Sequence, residues 1–96
     1  MEILVSYDVA TDTAAGRRRL RRVAKVCEGF GQRVQDSVFE CVVDAAQLAL
    51  LVHRLEAEID PEADSLRIYR LLEPRERFVQ ALGRPLAHDQ REPLII

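Results

Sequence analysis

Met1-Glu-Ile-Leu-Val-Ser-Tyr-Asp-Val9 is the stretch on which the fold turns. Met1, Ile3, Leu4, Val5 and Val9 make a nearly continuous apolar run, rich in β-branched residues and too short for an ordinary helix. It therefore reads as a strand buried on both faces, at the centre of a sheet. Its polar residues, Ser6, Tyr7 and Asp8, come at its end, ahead of the turn-prone Ala10-Thr11-Asp12-Thr13. The carboxyl ends of central strands are where sheets with crossover helices hold ligands and metals. Tyr7 and Asp8 are thus candidate functional residues on a rigid element. The alternatives are a turn carboxylate bonded to backbone N–H groups for Asp8 and a half-buried strand aromatic for Tyr7.

Outward from this strand, Thr11, Asp12 or Thr13 is placed to cap a helix running to about Glu28, with Gly29 in the C′ role. Leu20, Val23, Ala24 and Cys27 recur at i, i+3, i+4 and i+7 as its apolar face. Residues 31–44 are β-like, but Val34 and Val38 have one parity while Phe39, Cys41 and Val43 have the other. The phase change predicts a bulge or bend near Gln35-Asp36-Ser37. Asp44 and Gln47 form a capping-box pair for a second helix, with Leu48, Leu51, Val52, Leu55 and Ile59 as its stripe and Asp60-Pro61 as its end. Ser65–Leu72 is the next strand. The order β-α-β-β-α-β predicts an α+β sandwich, one sheet with two helices on one face. Phe78–Leu82 is expected as a fifth short strand closed by Gly83, giving a domain over 1–83. Residues 84–96 form a tail whose apolar end, Pro93–Ile96, is expected to pair with a sheet edge or a partner.

A chain of 96 residues has room for a single domain. It buries roughly two-thirds or less of its unfolded surface, so dimerisation would help it. No apolar run reaches the ~20 residues of a membrane span, and the N-terminus lacks the basic region of a secretion signal, so a cytoplasmic location is expected. Cys27 and Cys41 lack metal-ligand or CxxC spacing and read as core residues. The net charge of −2 hides an uneven distribution. Seven of the 14 basic residues lie between positions 17 and 33, where Glu28 is the only acid. Such a face holds a polyanion or is simply solvated. Mg²⁺ is commonly held by one or two carboxylates completed by water and phosphate. Two Asp8 side chains facing each other across a dimer twofold would meet that need.

Four segments carry a family resemblance. They are Tyr7-Asp8-Val9, Arg-Arg-Leu-Arg-Arg-Val (18–23), Gly31-Gln-Arg-Val-Gln-Asp-Ser-Val-Phe-Glu40 and Asp-Ser-Leu-Arg-Ile-Tyr-Arg-Leu-Leu (64–72). In order and spacing they resemble CRISPR-associated protein 2, the small partner of the spacer-acquisition integrase. The block ending Ser37-Val-Phe-Glu40 is the most specific of them. The resemblance implies a ferredoxin-like homodimer with Asp8 as the metal-binding aspartate and with Asp8 and its aromatic neighbour Tyr7 as the catalytic residues. It implies one Mg²⁺ or Mn²⁺ shared across the dimer, and nucleic-acid contact by Arg33, Ser37 and Phe39. Among the helix arginines Arg18, Arg19 and Arg22 are the candidates, with Arg19 or Arg22 as the family's counterpart position. Asp36 stands where relatives often carry an aromatic residue.

The implied function is a dimeric DNA-binding scaffold for the CRISPR-associated protein 1 integrase, holding spacer-precursor DNA. The resemblance also implies endonuclease activity on single-stranded RNA or double-stranded DNA. The alternative is an unrelated ferredoxin-like regulatory or RNA-binding module. Five aromatics with no RNP-like run argue against base stacking on the sheet.

Overall fold

The computed structural model describes residues 1–84. The elements are β1 (Glu2–Asp8), α1 (Ala14–Glu28), β2 (Gly31–Gln35), β3 (Val38–Val42), α2 (Ala45–Glu58), β4 (Ser65–Leu71) and a short 3₁₀ turn, Arg75–Arg77. The sheet order is β2-β3-β1-β4 and every pairing is antiparallel. This is the ferredoxin-like α+β arrangement. β1 is an inner strand, as its apolar run requires.

Alternation along β1 sends Ile3, Val5 and Tyr7 toward the helices, and Val9 follows them into the core. Phe39, Cys41 and Val43 join from β3, Val23, Ala24 and Cys27 from α1, and Leu51 and Leu55 from α2. The opposite face of β1 is not fully buried. Leu4 and Ser6 are half-buried and Asp8 is exposed, while Glu2 is sealed. Cys27 and Cys41 are free thiols inside the core. Burial pushes Cys27 up to about 12 and Cys41 up to about 11.

Local signals set the boundaries. Thr13 caps α1, its hydroxyl accepting from the Gly16 N–H at 3.0 Å. Asp44 and Gln47 exchange the two bonds of a capping box, at 2.7 and 2.9 Å. The predicted phase break is present: the β2–β3 register shifts between Arg33 and Gln35. Gly29 does not take the left-handed C′ conformation. Its φ is −72°, because the last turn tightens, with Gly29 and Phe30 N–H groups donating to Val26 and Cys27 carbonyls. The glycine that matters here is Gly31, where a Cβ would lie 2.3 Å from the Glu40 carbonyl oxygen of the adjacent strand.

The expected fifth strand is corrected. Phe78 and Val79 N–H groups both donate to the Arg75 carbonyl at 2.9 Å, so they serve a local turn instead of a ladder. The Arg75 guanidinium pairs with Glu40, and its backbone N–H donates to Glu2 at 3.0 Å. These bonds direct the following segment over the sheet face opposite the helices. There it encloses a groove of about 910 Å³ against Leu4, Val34 and Val38. Phe78, Val79 and Leu82 remain exposed. The expected Pro93–Ile96 edge pairing lies outside the described residues.

Candidate nucleic-acid and metal site

Asp8 is the last residue of β1 and the only exposed one in it. Its neighbour across the sheet is Ser65 on β4. On the other side the chain reaches the Asp36-Ser37 turn, where the Tyr7 N–H donates to the Ser37 carbonyl at 3.1 Å. The Tyr7 hydroxyl donates to the Asp36 carbonyl at 3.4 Å. Its ring stacks on Phe39 at 6.3 Å and 24°. Burial raises the Tyr7 phenol above its usual value, outweighing the opposing pull of Arg33. The Arg33 guanidinium lies 5.2 Å from the Phe39 ring centroid and 3.6 Å from Glu28.

Tyr7, Arg33, Ser37 and Phe39 are therefore gathered at the end of the sheet that carries Asp8. They do not share one surface. Phe39 is 0% and Tyr7 5% exposed. Both sit at helix-facing parity, Phe39 with Cys41 and Val43, Tyr7 with Val5 and Val9. Direct contact of Phe39 with nucleic acid is not available in this fold, and the Tyr7 phenol is held inside, protonated, at neutral pH. Phe39 acts instead as the floor on which Arg33 rests.

Sequence reasoning missed Asp64. Its side chain is fully buried and accepts four hydrogen bonds. Ala10 N–H donates to Oδ1 at 3.1 Å, Asp60 N–H to Oδ2 at 2.8 Å, and Arg19 Nη2 and Nε at 3.3 and 2.8 Å. The Arg19 hydrogen bond, supported by those from the backbone, lowers the Asp64 carboxyl to about 2. Asp64 ties the loop after Asp8 to the loop before β4, and so fixes the exit of β1. Arg19, expected among the nucleic-acid contacts, spends its guanidinium on this clamp. Burial of a carboxylate just before a strand has no periodic signature, so the pattern gave no warning of it.

Of the remaining helix arginines, Arg18 is exposed and Arg22 lies 4.0 Å from Glu58. No described group of three His, Cys, Asp or Glu residues is arranged to hold a metal ion. Asp8 offers a hard, exposed oxygen donor at the end of β1. That chemistry fits Mg²⁺ or Mn²⁺ as one ligand of a site that a second carboxylate, water or phosphate has to complete.

A small antiparallel α+β sandwich, with a carboxylate at the mouth of a central strand and a basic first helix, defines a compact class of proteins. The family model described as CRISPR associated protein Cas2 matches residues 1–77. The chain is 55% identical over 96 residues, all of both chains, to "CRISPR-associated endoribonuclease Cas2 1" of Moorella thermoacetica. It is 50% identical over 95 residues, 99% of each, to "CRISPR-associated endonuclease Cas2" of Halalkalibacterium halodurans. The crystal structure of Streptococcus pyogenes Cas2 matches with a TM-score of 0.79 and 53% identity, over 86% of this chain and 100% of that one. The chain belongs to the Cas2 family.

Proposed function

We propose that the protein acts in CRISPR adaptation as a homodimeric DNA-binding scaffold for the CRISPR-associated protein 1 integrase, and that it carries metal-dependent endonuclease activity on single-stranded RNA or double-stranded DNA. The observation that carries the nuclease reading is Asp8, the one exposed residue of the inner strand β1, fixed at its exit by the Asp64 clamp. The names of the relatives, endoribonuclease in one and endonuclease in the other, support the same chemistry. A homodimer is favoured by the exposed apolar residues Val42, Tyr69, Leu72, Phe78 and Leu82. It would also bring a second Asp8 toward the first.

In this reading Asp8 is the protein ligand to Mg²⁺ or Mn²⁺, which when bound lowers the pKa of a water and steadies charge on a phosphodiester. Arg18 and Arg22 hold flanking phosphates. Arg33, backed by the Phe39 ring, and the Ser37 turn border the same end of the sheet. Tyr7 supports Asp8 from within by fixing the Asp36-Ser37 turn beside it. No described helix is long and apolar enough to cross a membrane.

The test is cleavage of labelled RNA and duplex DNA with Mg²⁺, Mn²⁺ or EDTA, comparing wild type with Asp8→Ala, both verified as folded dimers. Metal-dependent cutting that disappears in Asp8→Ala is the expected result. Cutting that persists would place the nuclease elsewhere. Absence of cutting together with retained DNA binding and integrase co-purification would leave the scaffold alone.

A further inference from the structure

Alternation along β1 decides what stands beside Asp8. Ile3, Val5 and Tyr7 point to the helices, so Leu4, Ser6 and Asp8 lie on the opposite, open face of the sheet. Residues directly opposite in an antiparallel pair share a face. Ser65, Arg67 and Tyr69 of β4 stand opposite Asp8, Ser6 and Leu4, and so line that same open face. Arg67 is thus the diagonal neighbour of Asp8, a separation of about 7–8 Å that a long side chain can span.

An arginine placed there has an exposed carboxylate within reach, yet Arg67 pairs with no carboxylate among the described residues. Its Nη1 instead donates to the Tyr69 hydroxyl at 3.1 Å, which draws the guanidinium along β4 and away from Asp8. One N–H of the fork is used in this way and the others stay available. This is not the pattern of a solvated charge guarding a sheet edge. Arg70 has that pattern on the same strand: it is exposed, lies opposite Ile3 on the other face, and its side chain makes no hydrogen bond or ion pair among the described residues. A guanidinium touching Asp8 would compete with a cation for its oxygens. One held off by Tyr69 leaves Asp8 free and offers a phosphate a planar, oriented set of donors.

Resting on the nuclease reading, we propose that Arg67 binds the same phosphodiester that Asp8 addresses, gripping it from the neighbouring strand, and that Tyr69 is the residue that positions Arg67. The contact is to the backbone and carries no base information.

The experiment measures binding of the full-length protein to labelled single-stranded RNA and duplex DNA by fluorescence anisotropy, in EDTA across a salt series and then in Ca²⁺. It compares wild type with Arg67→Ala, Arg67→Lys, Tyr69→Phe, Asp8→Ala, Asp8→Ala/Arg67→Ala and the control Arg70→Ala. Circular dichroism and gel filtration confirm fold and dimer for each. In EDTA, Arg67→Ala should bind about tenfold more weakly. Its plot of log affinity against log salt should be shallower by about 0.9 on duplex, or about 0.7 on a single strand, for each Arg67 engaged. Arg70→Ala should keep the wild-type slope. Tyr69→Phe should weaken binding, and should do so no further once Arg67 is alanine. In Ca²⁺ the Asp8→Ala and Arg67→Ala losses should fall short of multiplying by at least about threefold, because both groups hold one phosphate. Should the alanine variant lose its dimer, Arg67→Lys is read in its place, with the slope kept and affinity reduced severalfold by loss of the fork. An Arg67 variant that binds like wild type, or losses in Ca²⁺ that simply multiply, overturns the assignment and leaves the nuclease reading standing. A wild type that cuts neither substrate in Mg²⁺ or Mn²⁺, and whose binding ignores Ca²⁺, overturns the nuclease reading and this assignment with it.

Discussion

Replacing Asp64 with alanine strands four donors at once: the N–H groups of Ala10 and Asp60, and two nitrogens of Arg19. Removing one partner of a buried ion pair costs ~3–5 kcal/mol. Two unsatisfied backbone N–H groups, at ~1–3 kcal/mol each, give the same scale independently. Arg19 retains some access to water, so about 3 kcal/mol is the expected loss. For a domain of this size that lowers the melting temperature by roughly 12 °C or more. Arg19→Ala should cost less, since Asp64 keeps two backbone donors. The pH dependence has a definite sign. The folded carboxyl is depressed from 3.8 to about 2, so its contribution is complete above about pH 4 and is lost as pH falls through about 2. Urea unfolding of wild type and Asp64→Ala at pH 7, 4 and 2.5 measures this. The gap between them should be widest at pH 7 and narrow at pH 2.5. Equal midpoints at pH 7, or a gap unchanged down to pH 2.5, would refute the clamp.

Other consequences are separately measurable. Gly16→Ala places a Cβ 1.9 Å from the Ala10 carbonyl oxygen, so the loop after Asp8 must move, at a cost of ~1–3 kcal/mol in thermal unfolding. Thr13→Ala removes the α1 cap and should cost ~1 kcal/mol by the same assay, with a small loss of helicity. Asp8→Ala should shift stability by less than ~0.5 kcal/mol, as expected for an exposed position, while abolishing metal-dependent cleavage. In an alkaline absorbance titration Tyr7 should ionise above the usual value of 10, and Tyr7→Phe should delete that late component.

Much of the architecture was legible because it rests on periodicity and caps. The i, i+3, i+4, i+7 face of α1 found Val23, Ala24 and Cys27. The Asp44–Gln47 spacing found the α2 start, and the parity change between Val34 and Phe39 located the irregularity in β2–β3. The same parity consigned Phe39 to the core, so its interior position was already written in the alternation that the family resemblance overrode. The fifth strand failed for a different reason. Phe78–Leu82 has strand-like composition, but Arg75 is pinned by Glu40 and Glu2, residues 35 and 73 positions distant in the chain. Long-range side-chain pairing of this kind leaves no local trace, and the Arg19–Asp64 clamp, 45 residues apart, was hidden for the same cause.

The two interior thiols have a practical corollary for kinetics. Burial pushes the Cys27 and Cys41 thiols up to about 12 and about 11 and leaves them almost no exposure, so both stay protonated and sealed at pH 8. Alkylating reagents reach them only when the layer between helices and sheet comes apart. Their rate of modification therefore clocks the opening of the core, without any added probe. A single cysteine introduced at an exposed α2 position such as Ala49 would react far ahead of both. One chain would then report surface docking and internal opening on two well-separated timescales.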